Sequence, residues 1–356
     1  MLSFALVGCG RISVRHAQLL GEGIIAGARL VAVCDVIEAK AQKTAQKHKV
    51  KAFTDMHVMM QEVKPDVVVV LTESGLHAQH VVALAKYGAH IMVEKPMALT
   101  LSDADEMIRV CDAARIKLFV VKQNRFNVPV VKLREAMEAG RFGKLVLGTV
   151  RVRWCRKQDY YDQDPWRGTW ALDGGVLANQ ASHHVDLLEW MMGEVESVSA
   201  FSTTALVNIE AEDTAVVAVR FRNGALGVIE ATTASRPKDL EGSISVLGEK
   251  GTVEIGGFAV NEMKVWNFLE TNADDADIMK KYSVNPPNVY GFGHQAYYEH
   301  VVDAVKNGGA NLVDGLEGRK SLELITAIYE SIETGKQVFL RFNPTKAKLG
   351  RANKGH

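Results

Sequence analysis

The tripeptide Glu94-Lys95-Pro96 closes an apolar run, Ala89-His90-Ile91-Met92-Val93, that has the pattern of a buried strand. Burying an ammonium is costly unless something pairs with it, so a lysine at such a strand end calls for a partner or a task. Pro96 fixes the backbone directly after it and holds Lys95 in a defined direction. A second group lies in the middle of the chain. Asp173-Gly174-Gly175 leads into a predicted helix, Leu177–Met192, that carries Asn179, His183, His184 and Asp186. On a helix, Asn179 and His183 share one face a turn apart, and His184 points about 100° away. A histidine there can serve as a general base near neutral pH, or equally as a structural core residue. Zinc is not favoured, because no clear third and fourth ligand accompany the histidines; no metal is expected.

The elements that must position these residues fall into two patterns. Up to about residue 122, short apolar runs (Leu2–Val7, Arg29–Cys34, Val67–Leu71, Ala89–Val93, Lys117–Val121) alternate with amphipathic stretches (Val14–Leu20, Glu38–Lys47, Leu76–Tyr87, Ser102–Ala114). That alternation implies βαβ units and a parallel, doubly wound sheet. In such a sheet the carboxyl ends of the strands face the ligand crevice, which places Lys95 there. After Gln123 the pattern becomes consecutive strands: Leu145–Arg153, Val195–Thr204, Thr214–Phe221, Leu226–Thr233, Ser243–Leu247, Thr252–Ile255 and Val260–Trp266. Short turns such as Arg222-Asn223-Gly224 join them, which implies an open, mostly antiparallel sheet. Helices near Leu177–Met192, Gly293–Asn307 and Gly315–Thr334 flank it, and a last strand is expected at Gln337–Arg341. The expected division is an α/β domain at 1–122, an α+β domain at 123–344 and a basic, frayed tail at 345–356.

Gly8-Cys9-Gly10-Arg11-Ile12-Ser13 sits between the first strand and the first helix. Gly8 permits the tight turn, and Gly10 lets the backbone approach a pyrophosphate at the helix N-terminus. The third glycine of the usual pattern is Ser13, so position at the start of a βαβ run, more than the motif, argues for a dinucleotide. Asp35 ends the second strand, 25 residues after Gly10. It can accept hydrogen bonds from ribose hydroxyls and would repel a 2′-phosphate, which favours NAD over NADP; it can also simply cap the next helix. Thr72, Ser74 and His77 lie in another crevice loop, where His77 is either a cofactor contact or an exposed first-turn residue. Gln123-Asn124-Arg125-Phe126-Asn127 marks the crossing between the domains. It is a polar hinge or a ligand contact, Gln123 then meeting the cofactor and Asn124 a sugar. Tyr160-Tyr161-Asp162 and Asp164-Pro165-Trp166-Arg167-Gly168-Thr169-Trp170 follow Arg156. Aromatic faces can stack on sugars or bases and arginine can pair with carboxylate or phosphate, although a loop anchor or subunit contact needs the same residues.

Composition closes off several classes. Lys+Arg and Asp+Glu are both 42 in 356 residues, so no broad basic field exists to attract nucleic acid or an anionic membrane. Apolar stretches are strand-length, well short of the ~20 residues of a membrane span. No basic segment precedes the first strand, so it does not read as a signal peptide. Cys9, Cys34, Cys111 and Cys155 are scattered and read as free thiols of a reducing cytoplasm.

Gly8-Cys9-Gly10-Arg11-Ile12, Glu94-Lys95-Pro96, and Gly174-Gly175-Val176-Leu177 followed by His183 together resemble the glucose-fructose oxidoreductase, inositol dehydrogenase and rhizopine catabolism family. The resemblance runs over nearly the whole chain. It implies a Rossmann domain, a second domain on an open antiparallel sheet, hydride transfer between NAD(P) and a sugar or polyol carbon, and a dimer or tetramer. It also implies that Lys95 and His183 are the catalytic pair, with Glu94 and Lys95 beside the cofactor and Lys95, Asn179 and His183 at the substrate. The family commonly has aspartate where Asn179 stands; an amide cannot ionise, so Asn179 is expected to orient substrate. Lys122-Gln123-Asn124-Arg125-Phe126-Asn127, Arg153-Trp154-Cys155-Arg156, and Tyr160-Tyr161 followed by Trp166-Arg167-Gly168-Thr169-Trp170 are similar to one subgroup, the UDP-N-acetyl-2-amino-2-deoxy-D-glucuronate 3-dehydrogenases of bacterial O-antigen synthesis. That likeness implies a UDP-sugar substrate oxidised at C3, contacts from Arg156, Tyr160, Tyr161, Trp166 and Arg167, and a homotetramer. Some members of the subgroup reduce 2-oxoglutarate, a candidate reoxidant of NADH here. Another sugar or inositol dehydrogenase and a non-catalytic NAD-binding regulator are the alternatives.

Overall fold

The computed structural model describes residues 1–283, 292–308 and 312–340; the expected tail at 345–356 lies outside them. The first region runs β1 (Leu2–Val7), α1 (Ser13–Gly21), β2 (Ala28–Cys34), α2 (Glu38–His48), β3 (Lys51–Phe53), α3 (Met56–Val63), β4 (Val67–Val70), α4 (His77–Ala85), β5 (His90–Val93), α5 (Leu101–Ala113) and β6 (Leu118–Val120). All six strands are parallel, in the order β3-β2-β1-β4-β5-β6. The order reverses between β1 and β4, and that switch point opens the crevice. Helices cover both faces, so β4 can be four consecutive valines, each fully buried. Thr100 caps α5 by accepting from the Asp103 amide. Sequence reading missed β3 and α3. They are short, and Lys51-Ala52-Phe53 carries too little apolar pattern to stand out.

The second region adds α6 (Val128–Glu138), β7 (Leu145–Arg153), α7 (Gln158–Tyr161), α8 (Ser182–Met192), β8 (Val195–Thr203), β9 (Thr214–Phe221), β10 (Leu226–Thr232), β11 (Glu241–Gly248), β12 (Gly251–Gly256), β13 (Glu262–Phe268), α9 (Asp275–Lys281), α10 (Gly293–Asn307), α11 (Gly315–Thr334) and β14 (Val338–Phe339). The sheet order is β13-β12-β11-β7-β10-β9-β8-β14. One pair, β7 with β10, is parallel, because the long excursion through α7 and α8 separates them; the others are antiparallel. Helices α8 and α11 pack on one face of the sheet. The opposite face is open, with Phe201 81%, Val216 50% and Leu226 49% exposed.

Two features differ from the sequence expectation and bear on the site. Helix α8 starts at Ser182, five residues later than expected, so Asn179 lies in the turn before it and not on its face. Helix α10, though late in the chain, packs into the core of the first sheet: Tyr297, Tyr298 and Val301 join Phe4 and Phe119 there.

The two regions meet around a buried charge cluster. The crossing segment contributes Lys122 and Arg125, both about 95% buried. Asp186 of α8 accepts from Lys122 Nζ through Oδ1, and from Arg125 Nε and Nη2 at 2.8 Å each. Ser321 Oγ accepts from Lys122 Nζ at 2.8 Å, and Glu317 accepts from Arg125 Nη1 at 2.9 Å, which ties in α11. Burial alone would raise the Asp186 carboxyl, but Arg125 and Lys122 outweigh it and hold the group below the usual carboxylate range. Removing one member strands buried charge. Asp186→Ala is therefore expected to cost about 3–5 kcal/mol in urea unfolding, whereas surface Glu106→Ala costs under about 1 kcal/mol.

Candidate active site

A cleft of about 590 Å³ runs along the carboxyl ends of β1, β2, β4 and β5 and is closed on its far side by residues from the second region. Its dinucleotide end is built by the glycine turn. Gly8 has φ of +100°, and a Cβ there would sit 2.7 Å from the carbonyl of Leu71, so only glycine fits between β1 and β4. Above Gly10 there is open space where a side chain would stand. The Ser13 hydroxyl, at the position of the missing third glycine, donates to the Gly10 carbonyl at 2.6 Å and braces the turn. No side chain caps α1, so its first amides remain available to a pyrophosphate. Asp35 accepts from the Cys9 and Ile37 amides at 2.8 Å each, bracing this turn; each carboxylate oxygen keeps a further acceptor site. This cradle fits NAD: tight turn, bare amides and a carboxylate at the end of β2.

Gly8, Gly10, Arg11, Ile12, Asp35, Thr72, Ser74, His77, Glu94, Lys95 and Gln123 all line the cleft, as expected for cofactor contacts. Two have additional structural work. His77 is buried, not an exposed first-turn residue: Nδ1 lies 2.8 Å from the Pro96 carbonyl and Nε2 3.0 Å from the Thr72 carbonyl, joining two crevice loops. The Glu94 carboxylate accepts from the Lys95 amide at 3.0 Å and meets His16 Nε2 at 3.0 Å. Tyr298 of α10 holds the other nitrogen of His16 at 2.6 Å. Burial alone would raise the Glu94 carboxyl, but the His16 hydrogen bond and the His16, His294 and Lys95 charges outweigh it and hold it at about 2.

The chemistry-bearing end joins the two regions. Lys95 Nζ donates to the Asn179 carbonyl oxygen at 2.6 Å. The Asn179 side chain donates in turn to Asp173 Oδ1. Gln123 Nε2 meets His183 Nε2 at 3.0 Å; donation from the amide makes Nε2 the unprotonated ring nitrogen, its one lone pair held by that bond until a substrate hydroxyl replaces the amide. Burial, and next the Lys95 charge, push His183 well below its ordinary pKa, so it is neutral around pH 7. Burial pushes the Lys95 ammonium down, with Glu94 and Asp173 opposing it. The site thus holds an unprotonated imidazole and an ammonium donor in one cleft, an arrangement suited to taking a proton from a hydroxyl while stabilising charge on its oxygen.

Among the expected substrate contacts, Lys95, Arg156, Tyr160, Trp166, Arg167, Asn179 and His183 border the cleft, and Gln180, which was not foreseen, borders it too. Arg167 lies over the rings of Tyr160 and Trp166 at 4.7 and 4.8 Å and donates to the Tyr160 hydroxyl. Arg156 pairs with Asp239 at 2.9 Å. Two expectations fail. Tyr161 is buried beneath the loop, its hydroxyl 3.2 Å from Thr233 Oγ1, because on the short α7 it faces the core while Tyr160 faces the cleft. Asn124 is buried in the crossing turn and does not border the cleft. The buried His184 stacks edge-on against Trp154 and is pushed by burial to about 3, which makes His183 the histidine of the pair that serves the cleft. The residues missed by sequence reading, His16 and His294, act through contacts made by the fold across long stretches of chain, whereas Asp173, seen in the sequence only as the lead into the helix, acts through nearby Gly168 and Asn179.

Residues 2–122 match the oxidoreductase family, NAD-binding Rossmann fold, and residues 134–340 match the oxidoreductase family, C-terminal alpha/beta domain. The chain belongs to the glucose-fructose oxidoreductase and inositol dehydrogenase family. It is an NAD-dependent oxidoreductase with a Rossmann domain followed by a domain on a mostly antiparallel sheet. It is similar to the WlbA dehydrogenase from Bordetella pertussis in complex with NADH and UDP-GlcNAcA, at 43% identity over 96% of this chain and 98% of that one, with a TM-score of 0.92. The WlbA dehydrogenase from Chromobacterium violaceum, solved with the same ligands, shares 43% identity over 96% and 97% of the two chains, with a TM-score of 0.90. Myo-inositol 2-dehydrogenase from Thermotoga maritima is 31% identical, covering 95% of this chain and 98% of its own. Among the described residues, no helix is long and apolar enough to cross a membrane.

A base held well below the ordinary histidine value stays unprotonated further into acid. The acid limb of the pH profile for kcat/KM is therefore expected below pH 6.5, the ordinary histidine value. Steady-state NADH formation from pH 5 to 9 checks this.

Proposed function

We propose that this protein oxidises the C3 hydroxyl of UDP-N-acetylglucosaminuronic acid to the 3-keto sugar. The observation that carries the reading is the single cleft holding the dinucleotide cradle together with Lys95 and His183 from different domains, in a chain 43% identical to dehydrogenases solved with NADH and UDP-GlcNAcA. Bound NAD supplies the hydride acceptor. His183 Nε2 takes the proton of the C3 hydroxyl once the substrate hydroxyl replaces the Gln123 amide at that nitrogen. Lys95 donates to the same oxygen and stabilises the negative charge that develops on it. Arg156 or Arg167 pairs with the uronate or diphosphate, and Tyr160 or Trp166 packs against sugar or uracil. A 3-keto sugar nucleotide is a substrate for an aminotransferase, as expected in the synthesis of 2,3-diamino sugar acids for lipopolysaccharide. The reading includes 2-oxoglutarate as a second substrate that reoxidises NADH and a cytoplasmic site of action.

A second reading, oxidation of inositol, is favoured by the 31% identity to myo-inositol 2-dehydrogenase. It uses the same Lys95 and His183 and differs at the aromatic-arginine loop. A panel of UDP-sugars and free polyols, with and without 2-oxoglutarate and followed by NADH absorbance, separates the two: the first reading expects turnover of UDP-GlcNAcA and none of myo-inositol. Lys95→Ala and His183→Ala are each expected to lower kcat by more than about tenfold, in line with loss of a general acid–base or oxyanion group; smaller losses in both would remove the catalytic assignment.

The same reading includes a homotetramer. Support comes from the open sheet face, where apolar Phe201, Val216 and Leu226 lie beside the Arg153–Glu230 and Arg151–Glu241 pairs. Sedimentation is expected to give four times the chain mass, and a monomer would contradict it.

A further inference from the structure

The carboxylate of Asp173 takes no part in the proton path just described, yet it is 1% exposed and both its oxygens are engaged. Oδ2 accepts from the Gly168 amide at 2.9 Å, and Oδ1 accepts from the side-chain amide of Asn179. The main-chain oxygen of Asn179 accepts from Lys95 Nζ at 2.6 Å. One residue, in the turn before α8, thus touches a buried carboxylate with its side chain and the site ammonium with its backbone. We propose that Asp173 is the positioning residue for Lys95: through Asn179 it fixes the carbonyl that aims the ammonium, and it adds its negative charge to that of Glu94 around the site. This rests on the reading of Lys95 as the residue that polarises the reacting hydroxyl.

The surrounding charges make the assignment specific. Around Lys95 stand Glu94, Asp173, Arg156, His77, His183 and His184. His183 and His184 are pushed well down by burial and carry no charge at neutral pH, burial lowers His77 while the Pro96 and Thr72 carbonyls oppose it, and Arg156 adds positive charge. Glu94, the neighbour in sequence, is the larger opposing charge and is also engaged with His16 and with the Lys95 amide. Asp173 supplies the opposing charge from the second domain, so it links the lysine to the substrate loop that carries Arg167. Polarity matters as well. The amide of Asn179 can donate to a carboxylate, whereas a carboxylate at 179 facing Asp173 would force two acids to share a proton. Exchanging the two residues keeps the charge and reverses one hydrogen bond, and an amide oxygen at 173 still accepts from Gly168.

The direct test is the pH midpoint of Lys95 carbamylation by cyanate, which attacks only the neutral amine, read by peptide mass on wild type, Asp173→Asn and the Asp173→Asn/Asn179→Asp exchange. Loss of the negative charge favours the neutral amine, so D173N is expected to lower the midpoint by about one unit or more, and the exchange to return it toward wild type. With a substrate that turns over, D173N is also expected to lower kcat about 10- to 100-fold, as for a misaimed group, and to move the alkaline limb of the profile down in parallel. A wild-type midpoint in D173N, or an exchange variant that keeps the displaced midpoint, overturns the proposal. If D173N does not fold, the exchange variant decides: a wild-type midpoint supports the proposal, and a displaced midpoint or failure to fold overturns it. Should no UDP-sugar or polyol reduce NAD, the functional reading falls while the carbamylation result still judges Asp173.

Discussion

The structure depends on keeping charge out of water where two domains cross. Asp186 sits between Lys122 and Arg125 with all three almost wholly buried. Each ion alone would cost several kcal/mol; together, and with Ser321 and Glu317, they satisfy one another. The consequence is geometric. Asp186 lies one turn beyond His183 on α8, and Gln123 lies between Lys122 and Arg125. Clamping Asp186 to the crossing segment therefore fixes the approach of Gln123 to His183 at 3.0 Å. The cleft gets its second wall from the same contact.

A shorter polar chain does the corresponding work for Lys95. It runs from Tyr298 through His16 to Glu94, then through the Lys95 main-chain amide, and from Nζ onward through Asn179 to Asp173. Elements that are distant in sequence, α1, the end of β5, the turn before α8 and α10, thereby agree on the position of one ammonium. Burial acts differently on the groups it surrounds. It leaves His183 neutral and Glu94 ionised at neutral pH, because Glu94 has partners that outweigh its desolvation and His183 has Lys95 working in the same direction as desolvation.

Much of this was legible in the sequence, for a stated reason in each case. The glycine turn, Asp35 and Glu94-Lys95-Pro96 stand at ends of strongly apolar strands, so local pattern places them at the crevice. The strands Leu145–Arg153 and Thr214–Phe221 have the expected bounds, because one of their faces is core and the other solvent. What escaped depends on tertiary contact. Residues 177–181 have helical composition, yet the Val176 and Leu177 amides bond to Glu212 and start α8 late, which moves Asn179 off its face. Tyr160 and Tyr161 are adjacent and alike, and only the packing of α7 on Thr233 decides which one meets the cleft. The place of α10 in the first core has no local signature, since its apolar face would suit either sheet.

The central step proposed is departure of hydride from C3 of a UDP-sugar in the cleft that holds Lys95 and His183, and the label on the reduced cofactor tests it most directly. UDP-GlcNAcA carrying deuterium at C3 should yield NADH with that deuterium, seen by mass spectrometry. Unlabelled NADH from the labelled substrate would contradict the account.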